Sequence, residues 1–230
     1  MTTHEFFEQL DAGIGKYDLL CHPFYQAWTA GELTREDLRE YAMEYLEHVE
    51  AFPVYLEEFA TRAEDSGIYR AVVSNRDDEL GANGSRPHAE LWLDFIEGMG
   101  GQPPTCAKLP EVQSLVRWFH QAARHGAPEE ALAAFYAYES QVPRIASQKA
   151  RGLREWYAAD EKTCAYFALH ATADVYHARV WRNLLAKLIE RDPEAAERAL
   201  AAAACAAKAL WKALDGMERA RAARQAMVLN

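Results

Sequence analysis

Positive charge, cysteine and long apolar runs are all in short supply in this 230-residue chain, and each shortage excludes something. Lysine and arginine number 25 against 35 acidic residues, a formal charge of −10. That balance speaks against nucleic acid or an anionic membrane as partner. The four cysteines, Cys21, Cys106, Cys164 and Cys205, are scattered with no CxxC pair. Their spacing offers neither a zinc pattern nor a disulfide framework, fits a reducing cytoplasm, and leaves the four thiols as small apolar residues. The smoothest run, Ala199 to Ala207, is short, alanine-rich and stopped by Lys208, so it reads as no membrane span. The start at Met1 lacks a basic segment followed by an apolar one, so no signal peptide is expected. Nor is there a Pro/Gly/Ser-rich linker, and a single domain over residues 1–230 is expected, frayed from about 223 and over Met227 to Asn230.

Strand signals are nearly absent, whereas helix starts and stops recur. Helices are expected over about 3–14 and 23–28, and from Thr34 to about Ala63. The third opens on a capping box, Thr34-Arg35-Glu36-Asp37, and is interrupted or bent at Pro53. Further helices follow at about 66–80, 88–99, 111–126, 128–153, 160–191 and 193–222. Pro87 suits the first turn of the one that begins at His88. The fold class is all-α, a bundle of seven or eight helices.

What the chain does have is concentrated in one stretch, AYFALHATADVYHARVW. His170, Asp174 and His177 stand at steps of four and seven, and so share one stripe of one helix. Tyr166, Phe167, Val175 and Trp181 flank that stripe and turn it toward a core. Two imidazoles and a carboxylate converging in a core are costly unless something charged compensates them. A metal ion does so most simply.

Three ligands leave an ion unsaturated, and bundle-core dimetal sites draw Glu and His from several helices. Glu139 lies among aromatics and alanines in AAFYAYESQVPRIA. Pro143, four residues on, clashes with its carbonyl and predicts a kink or widened turn at that glutamate. The bland alternative pairs Glu139 with Arg144. Glu79 and His88 form the next pair, meeting across a Gly-rich turn; spacing alone leaves Asp77, Asp78 and Glu79 open. The resulting mixed set of imidazoles and carboxylates suits iron or manganese better than structural zinc. His48 reads as a residue just outside the ligands, and His4, His22, His120 and His125 as surface or capping residues.

These segments resemble the haem-oxygenase-like dimetal oxidases, in particular the group of the chlamydia protein associating with death domains. The resemblance is carried, in order, by HPFYQAW at 22–28, GELTREDLREYA at 31–42, AFPVYL at 51–56 and DDELG at 77–81. It continues through HAELWLDF at 88–95, YESQVPRIASQKARGL at 138–153 and AYFALHATADVYHAR at 165–179. It implies a haem-oxygenase-like bundle with a dimetal site in the core, held by Glu79, His88, Glu139, His170, Asp174 and His177. It further implies two divalent ions, Fe/Fe or Fe/Mn, with O₂ and an external reductant, and a cytoplasmic homodimer. The activity it implies is para-aminobenzoate synthesis for folate. Tyr25 would be consumed as the ring source, Lys149 would be the amino donor, and Tyr41 and Tyr166 would be nearby redox-active or alternative tyrosines. Lys149 follows Glu139 by ten residues, almost three helical turns, so both can face inward. Two departures are visible: a longer Glu79–His88 loop than in the chlamydial protein, and Tyr45-Leu46 where a Tyr-Tyr pair can stand. The C-terminal tail does not match, so no death-domain partner is carried over.

Two other readings use the same residues. A multiple-turnover dimetal oxidase acting on a free amino acid or fatty acid keeps the metal site and makes Tyr25 and Lys149 packing residues. A metal-free helical interaction module leaves several buried charges uncompensated.

Overall fold

In the computed structural model, which describes residues 1–82, 84–104 and 107–228, ten α-helices and a 3-10 turn at Leu19–Cys21 carry the chain, with no strand among the described residues. The helices are α1 (Thr3–Gly15), α2 (Pro23–Thr29), α3 (Arg35–Ala60), α4 (Ser66–Glu79) and α5 (His88–Gly98). After them come α6 (Pro110–His125), α7 (Pro128–Glu139), α8 (Val142–Tyr157), α9 (Glu161–Arg191) and α10 (Ala195–Val228). No described helix is long and apolar enough to cross a membrane.

Several helix starts carry their own punctuation. Thr34 accepts from the Asp37 amide, and Asp37 returns a bond from the Thr34 amide, a reciprocal cap for α3. Thr2 and Glu5 do the same for α1, and Asp160 caps α9. His22 caps α2 by accepting from the Phe24 amide, so of the four histidines read as surface or capping this one is a buried cap. Pro87 occupies the N-cap of α5 rather than its first turn.

Ten helices stand where nine ranges were expected, because the segment expected as one helix over 128–153 is two; the expected bundle of seven or eight undercounted those ranges. The break falls at Ser140-Gln141, directly after Glu139. Pro143, in the first turn of α8, has no N–H to continue α7's ladder, and its ring excludes the Glu139 carbonyl. Gln141, buried there, stitches the break: its Oε1 accepts from the Leu19 amide at 3.1 Å and its Nε2 donates to the Ala137 carbonyl at 3.0 Å. Pro53, by contrast, does not interrupt α3, which runs unbroken through it. At the C-terminus α10 stays helical to Val228 instead of fraying near 223, because Met217 and Leu214 bury and Arg224 reaches Asp37 on α3. Leu229 and Asn230, the rest of that expected tail, lie outside the described residues, as do Asn83 and Cys106. Of the other cysteines only Cys164 is buried as a small apolar residue would be; Cys21 and Cys205 are exposed free thiols.

Helix α9 is the axis of the site. It packs against α8, α5 and α7 and touches α4, so one face looks onto every element that carries another candidate ligand. Around it lies an aromatic core in which Trp28, Trp92, Trp181, Tyr41 and Tyr55 are fully buried. Each such ring contributes about 1.5–3 kcal/mol by leaving water. Trp92 also ties α5 to α3 by donating to the Ala42 carbonyl at 2.8 Å.

Candidate dimetal centre and tyrosine chamber

Six side chains converge on α9's inner face in two triads. Glu79, His88 and His170 form one, Glu139, Asp174 and His177 the other; within each triad the ligand atoms lie within 4.8 Å of one another. All six residues are buried. Glu79 comes from the last turn of α4 and His88 from the first residue of α5. The loop between them turns back at Gly81, at φ +68, where a Cβ would collide with the Ser85 carbonyl. Glu139 closes α7 at the break described above. Of the three acidic residues that spacing left open, Glu79 points inward, Asp77 binds Arg76, and Asp78 contacts His177. Glu139 does not pair with Arg144, which binds Asp18 instead. Val175 departs from the expected stripe: it is exposed, as is Tyr176, because seven residues of α9 span two turns and only one side of them faces inward.

In the first triad His170 offers its Nδ1 to the Tyr166 carbonyl at 2.8 Å, which leaves Nε2 directed inward, 3.9 Å from Glu79 Oε1. His88 Nδ1 stands 2.8 Å from Glu79 Oε2. Yet both His170 Nε2 and His88 Nδ1 are buried nitrogens without an aligned hydrogen bond. Burial would raise the Glu79 carboxyl, but the neighbouring His170 and His88 outweigh it and hold it down at about 2.

The second triad is richer in oxygen. His177 Nδ1 lies 3.2 Å from Asp174 Oδ1 and 3.4 Å from Glu139 Oε1. Glu139 accepts from Asn75 Nδ2 at 2.9 Å and from the Trp181 indole N–H. Burial, and then the Asp174 charge, push the Glu139 carboxyl up against the pull of His177 and Asn75. Burial would lower both α9 imidazoles. Asp174 and Glu79 nevertheless carry His170 up to about 9, and Asp174 and Glu139 carry His177 up to about 11. The cluster thus demands positive charge. Orphaned imidazole nitrogens facing carboxylates, in a set of three nitrogens and three carboxylates, fit two divalent transition ions.

Beside the cluster is a chamber of about 30 Å³ walled by Tyr25, Tyr41, Tyr45, Tyr138, Tyr166 and Lys149, with apolar residues closing the gaps. Lys149 is buried on α8 and faces no carboxylate there. Its Nζ donates to Tyr25 Oη at 2.7 Å and to Tyr41 Oη, and the two hydroxyls are 3.0 Å apart. The same nitrogen lies 4.1 Å from the Tyr25 ring centre and 4.5 Å from that of Tyr41. The distances to Tyr25 put it roughly 3 Å from the ring carbon bearing the hydroxyl, at the edge of the ~3–3.5 Å range of a near-attack arrangement. Burial alone drives the Lys149 pKa well below its usual range, which favours the neutral amine. Burial likewise raises Tyr25 and Tyr41, so both remain phenols. The approach of α2 to α8 that makes this contact needs Gly152, where a Cβ would press on Trp28 at 3.0 Å.

Tyr166 links chamber and cluster. Its ring stacks on His170 at 3.9 Å and meets Trp92 edge-on at 4.7 Å. Tyr41 stacks on Tyr45 at 5.5 Å, and Tyr45 packs on Trp92 at 5.6 Å. His48 lies behind two of the chamber's tyrosines, and its ring contacts are with aromatic side chains rather than with the ligand-type residues. It packs edge-on to Tyr45 and Tyr138, its Nδ1 is 3.4 Å from the Tyr55 hydroxyl, and burial lowers it to about 3. Sequence reasoning gave no site role to Tyr45, Tyr138 or Asn75, and held Asp78 only as an open alternative to Glu79. Asn75 stands four residues before Glu79, a spacing that puts both on one face of α4 and was a usable signal. The turn count from Glu139 to Lys149 was not sound, because α7 ends between them; both face inward for separate reasons.

Residues 39–211 match a family model described as iron-containing redox enzyme. The chain is 38% identical to the 4-aminobenzoate synthase of Nitrosomonas europaea, covering 94% of this chain and 92% of that protein. It is 36% identical to the 4-aminobenzoate synthase of Chlamydia trachomatis, over 91% and 90% of the two chains. A Shewanella denitrificans domain of unknown function with a heme oxygenase-like fold superposes with a TM-score of 0.79, covering 98% and 95%, at 15% identity.

Proposed function

The chain belongs to the family of iron-containing redox enzymes on the haem-oxygenase-like fold, and from that premise we propose that it makes 4-aminobenzoate from its own Tyr25 ring, with Lys149 as amino donor. The observation that carries the reading is the placement of Lys149 Nζ, 2.7 Å from Tyr25 Oη in a chamber lined by aromatic rings. The product named for the relatives has nitrogen and carboxyl carbon at opposite ends of one ring. Tyrosine already holds Cβ at one end and the hydroxyl-bearing carbon at the other, and the neutral amine is poised at the hydroxyl end. Its two N–H bonds point to the two phenols, which leaves the lone pair uncommitted. The aromatic walls exclude bulk water, so the amine is not quenched by protonation.

Glu79, His88 and His170 would hold one divalent ion and Glu139, Asp174 and His177 a second, as Fe/Fe or Fe/Mn. Such a pair supplies the redox chemistry by which O₂, with an external reductant, oxidises an aromatic side chain. Tyr166, stacked on His170, and the Tyr45–Trp92 contacts provide a continuous aromatic connection from cluster to Tyr25. Because the ring source is part of the chain, turnover ends at about one product per protein.

The alternative, a multiple-turnover oxidase for a free amino acid or fatty acid, needs space the chamber lacks. Its volume of about 30 Å³ has room for a water or two, one water needing roughly 10–15 Å³ of such space. The deciding experiment loads metal-free protein with Fe(II), or with Fe(II) and Mn(II), and adds reductant and O₂. The proposal expects 4-aminobenzoate at no more than one per chain, matched by mass changes confined to the Tyr25 peptide, which gives up its ring, and the Lys149 peptide, which gives up its nitrogen. Product accumulating many-fold over enzyme from an added substrate would refute it.

A further inference from the structure

The two α9 imidazoles are held from behind in different ways. His170 is fixed by a backbone carbonyl one turn back, at 2.8 Å. His177 has no such anchor in its geometry: its Nδ1 faces Asp174 and Glu139, and its Nε2 lies 3.3 Å from Asp78 Oδ2. Asp78 is the outermost member of this arrangement, with its side chain 38% exposed against 4% for His177. A carboxylate there is unfavourable on local grounds. It sits at the C-terminal end of α4, where the helix dipole repels negative charge, between Asp77 and Glu79. Each of the three acids is offset by a separate cationic or imidazole partner: Arg76 for Asp77, His88 and His170 for Glu79, His177 for Asp78.

We propose that Asp78 is a positioning residue of the metal centre, the outer carboxylate that takes the Nε2–H of His177 and so presents Nδ1 as the ligand to the Glu139–Asp174 ion. The inference rests on the dimetal reading of the two triads and is independent of what the enzyme makes. A carboxylate behind a ligating histidine fixes the tautomer and the ring orientation and increases the basicity of the ligating nitrogen. Without it, the ring is free to rotate about its Cβ–Cγ bond and to present either nitrogen, and the oxygen-rich triad loses its single imidazole anchor. The Glu79–His88–His170 triad keeps both of its own, because the His170 tautomer is set by main chain.

Asp78 therefore affects one ion and not the other. The test is an anaerobic Co(II) titration of the full metal-free chain, followed by calorimetry and by the visible absorption of the bound ion. Wild type takes two ions. Asp78→Ala weakens one of the two binding steps by about 10–100-fold and alters the absorption of that ion alone. Asp78→Asn, whose amide oxygen still accepts from Nε2–H, recovers most of the loss. Asp77→Ala, which removes the neighbouring acid that binds Arg76, leaves both steps as in wild type. Two unchanged steps in Asp78→Ala overturn the role of Asp78 while leaving the centre standing, and so does equal weakening of both steps that Asp78→Asn fails to restore. A wild-type chain that binds no cobalt overturns the dimetal reading as well as this one.

Discussion

The ligand cluster and the tyrosine chamber share α9 and are equally dry, yet they treat charge in opposite ways. The cluster gathers three carboxylates and three imidazoles; at Glu79, His170 and His177 their mutual pull outweighs burial, while Glu139 is pushed up, so the carboxylates draw positive charge into the cluster. The chamber surrounds one amine with five phenols and offers it no carboxylate, so burial wins and the neutral amine is favoured. The lesson is that burial does not decide protonation by itself. What decides it is whether the fold delivers a compensating charge within a few ångströms. The two regions then divide the work: one can hold redox-active ions, the other keeps a nucleophilic nitrogen and a ring ready beside them.

The sharpest way to break this division is Tyr25→Phe. It should abolish 4-aminobenzoate while leaving the bound metal at two ions per chain, read by product assay and elemental analysis on the same sample. A fall in metal content would mean that the chamber and the cluster are not separable. Next in size, Glu139→Ala removes two of the oxygens of the second triad and strands Asn75 and Trp181. Metal content should drop to about one ion per chain, with the Lys149–Tyr25 contact intact, so that product falls for lack of oxidant alone.

Lys149→Met tests the chamber from the other side. Burial depresses the amine's pKa in the folded chain, so the unfolded state binds more protons and wild type is destabilised at neutral pH. That cost disappears as pH rises toward 10.5, the ordinary lysine value. The variant should therefore melt higher than wild type at pH 7, with the gap closing toward pH 10.5, while making no product. A variant that melts lower at pH 7 would show that the amine is charged and paired. The smallest effect is expected from Thr34→Ala, which removes the α3 cap at a cost of about 1 kcal/mol. This should lower Tm by about 2–4 °C and leave metal content and single-turnover yield unchanged, the control for both regions.

Much of this was legible in one dimension. Steps of four and seven put His170, Asp174 and His177 on a common stripe, and Pro143 announced a kink or widened turn at Glu139. Periodicity erred where it was extended too far: Val175 was counted with the inward stripe and is exposed, and one helix was drawn through 128–153 where Gln141 joins two. It also read Pro53 as an interruption, although α3 passes through it. The choice among Asp77, Asp78 and Glu79 was beyond spacing, since adjacent residues on a helix end differ only in which neighbour they meet. Tyr45 and Tyr138 were invisible for a related reason: eleven tyrosines look alike until packing selects five to wall one cavity.

Composition and periodicity by themselves determined that the chain is all-α, that α9 carries three ligand-type side chains on one face, and that no thiol framework supports it. These follow from local rules, helix pitch and the cost of strand-poor, breaker-spaced sequence, which need no partner to operate. Only the tertiary structure decided that Glu79 rather than its neighbours enters the cluster, that Asp78 backs His177, and that Lys149 meets Tyr25 without a counter-charge. Those outcomes depend on distances between α4, α5, α7, α8 and α9, and electrostatic interactions of a few ångströms between separate helices leave no periodic trace in the chain that folds to make them.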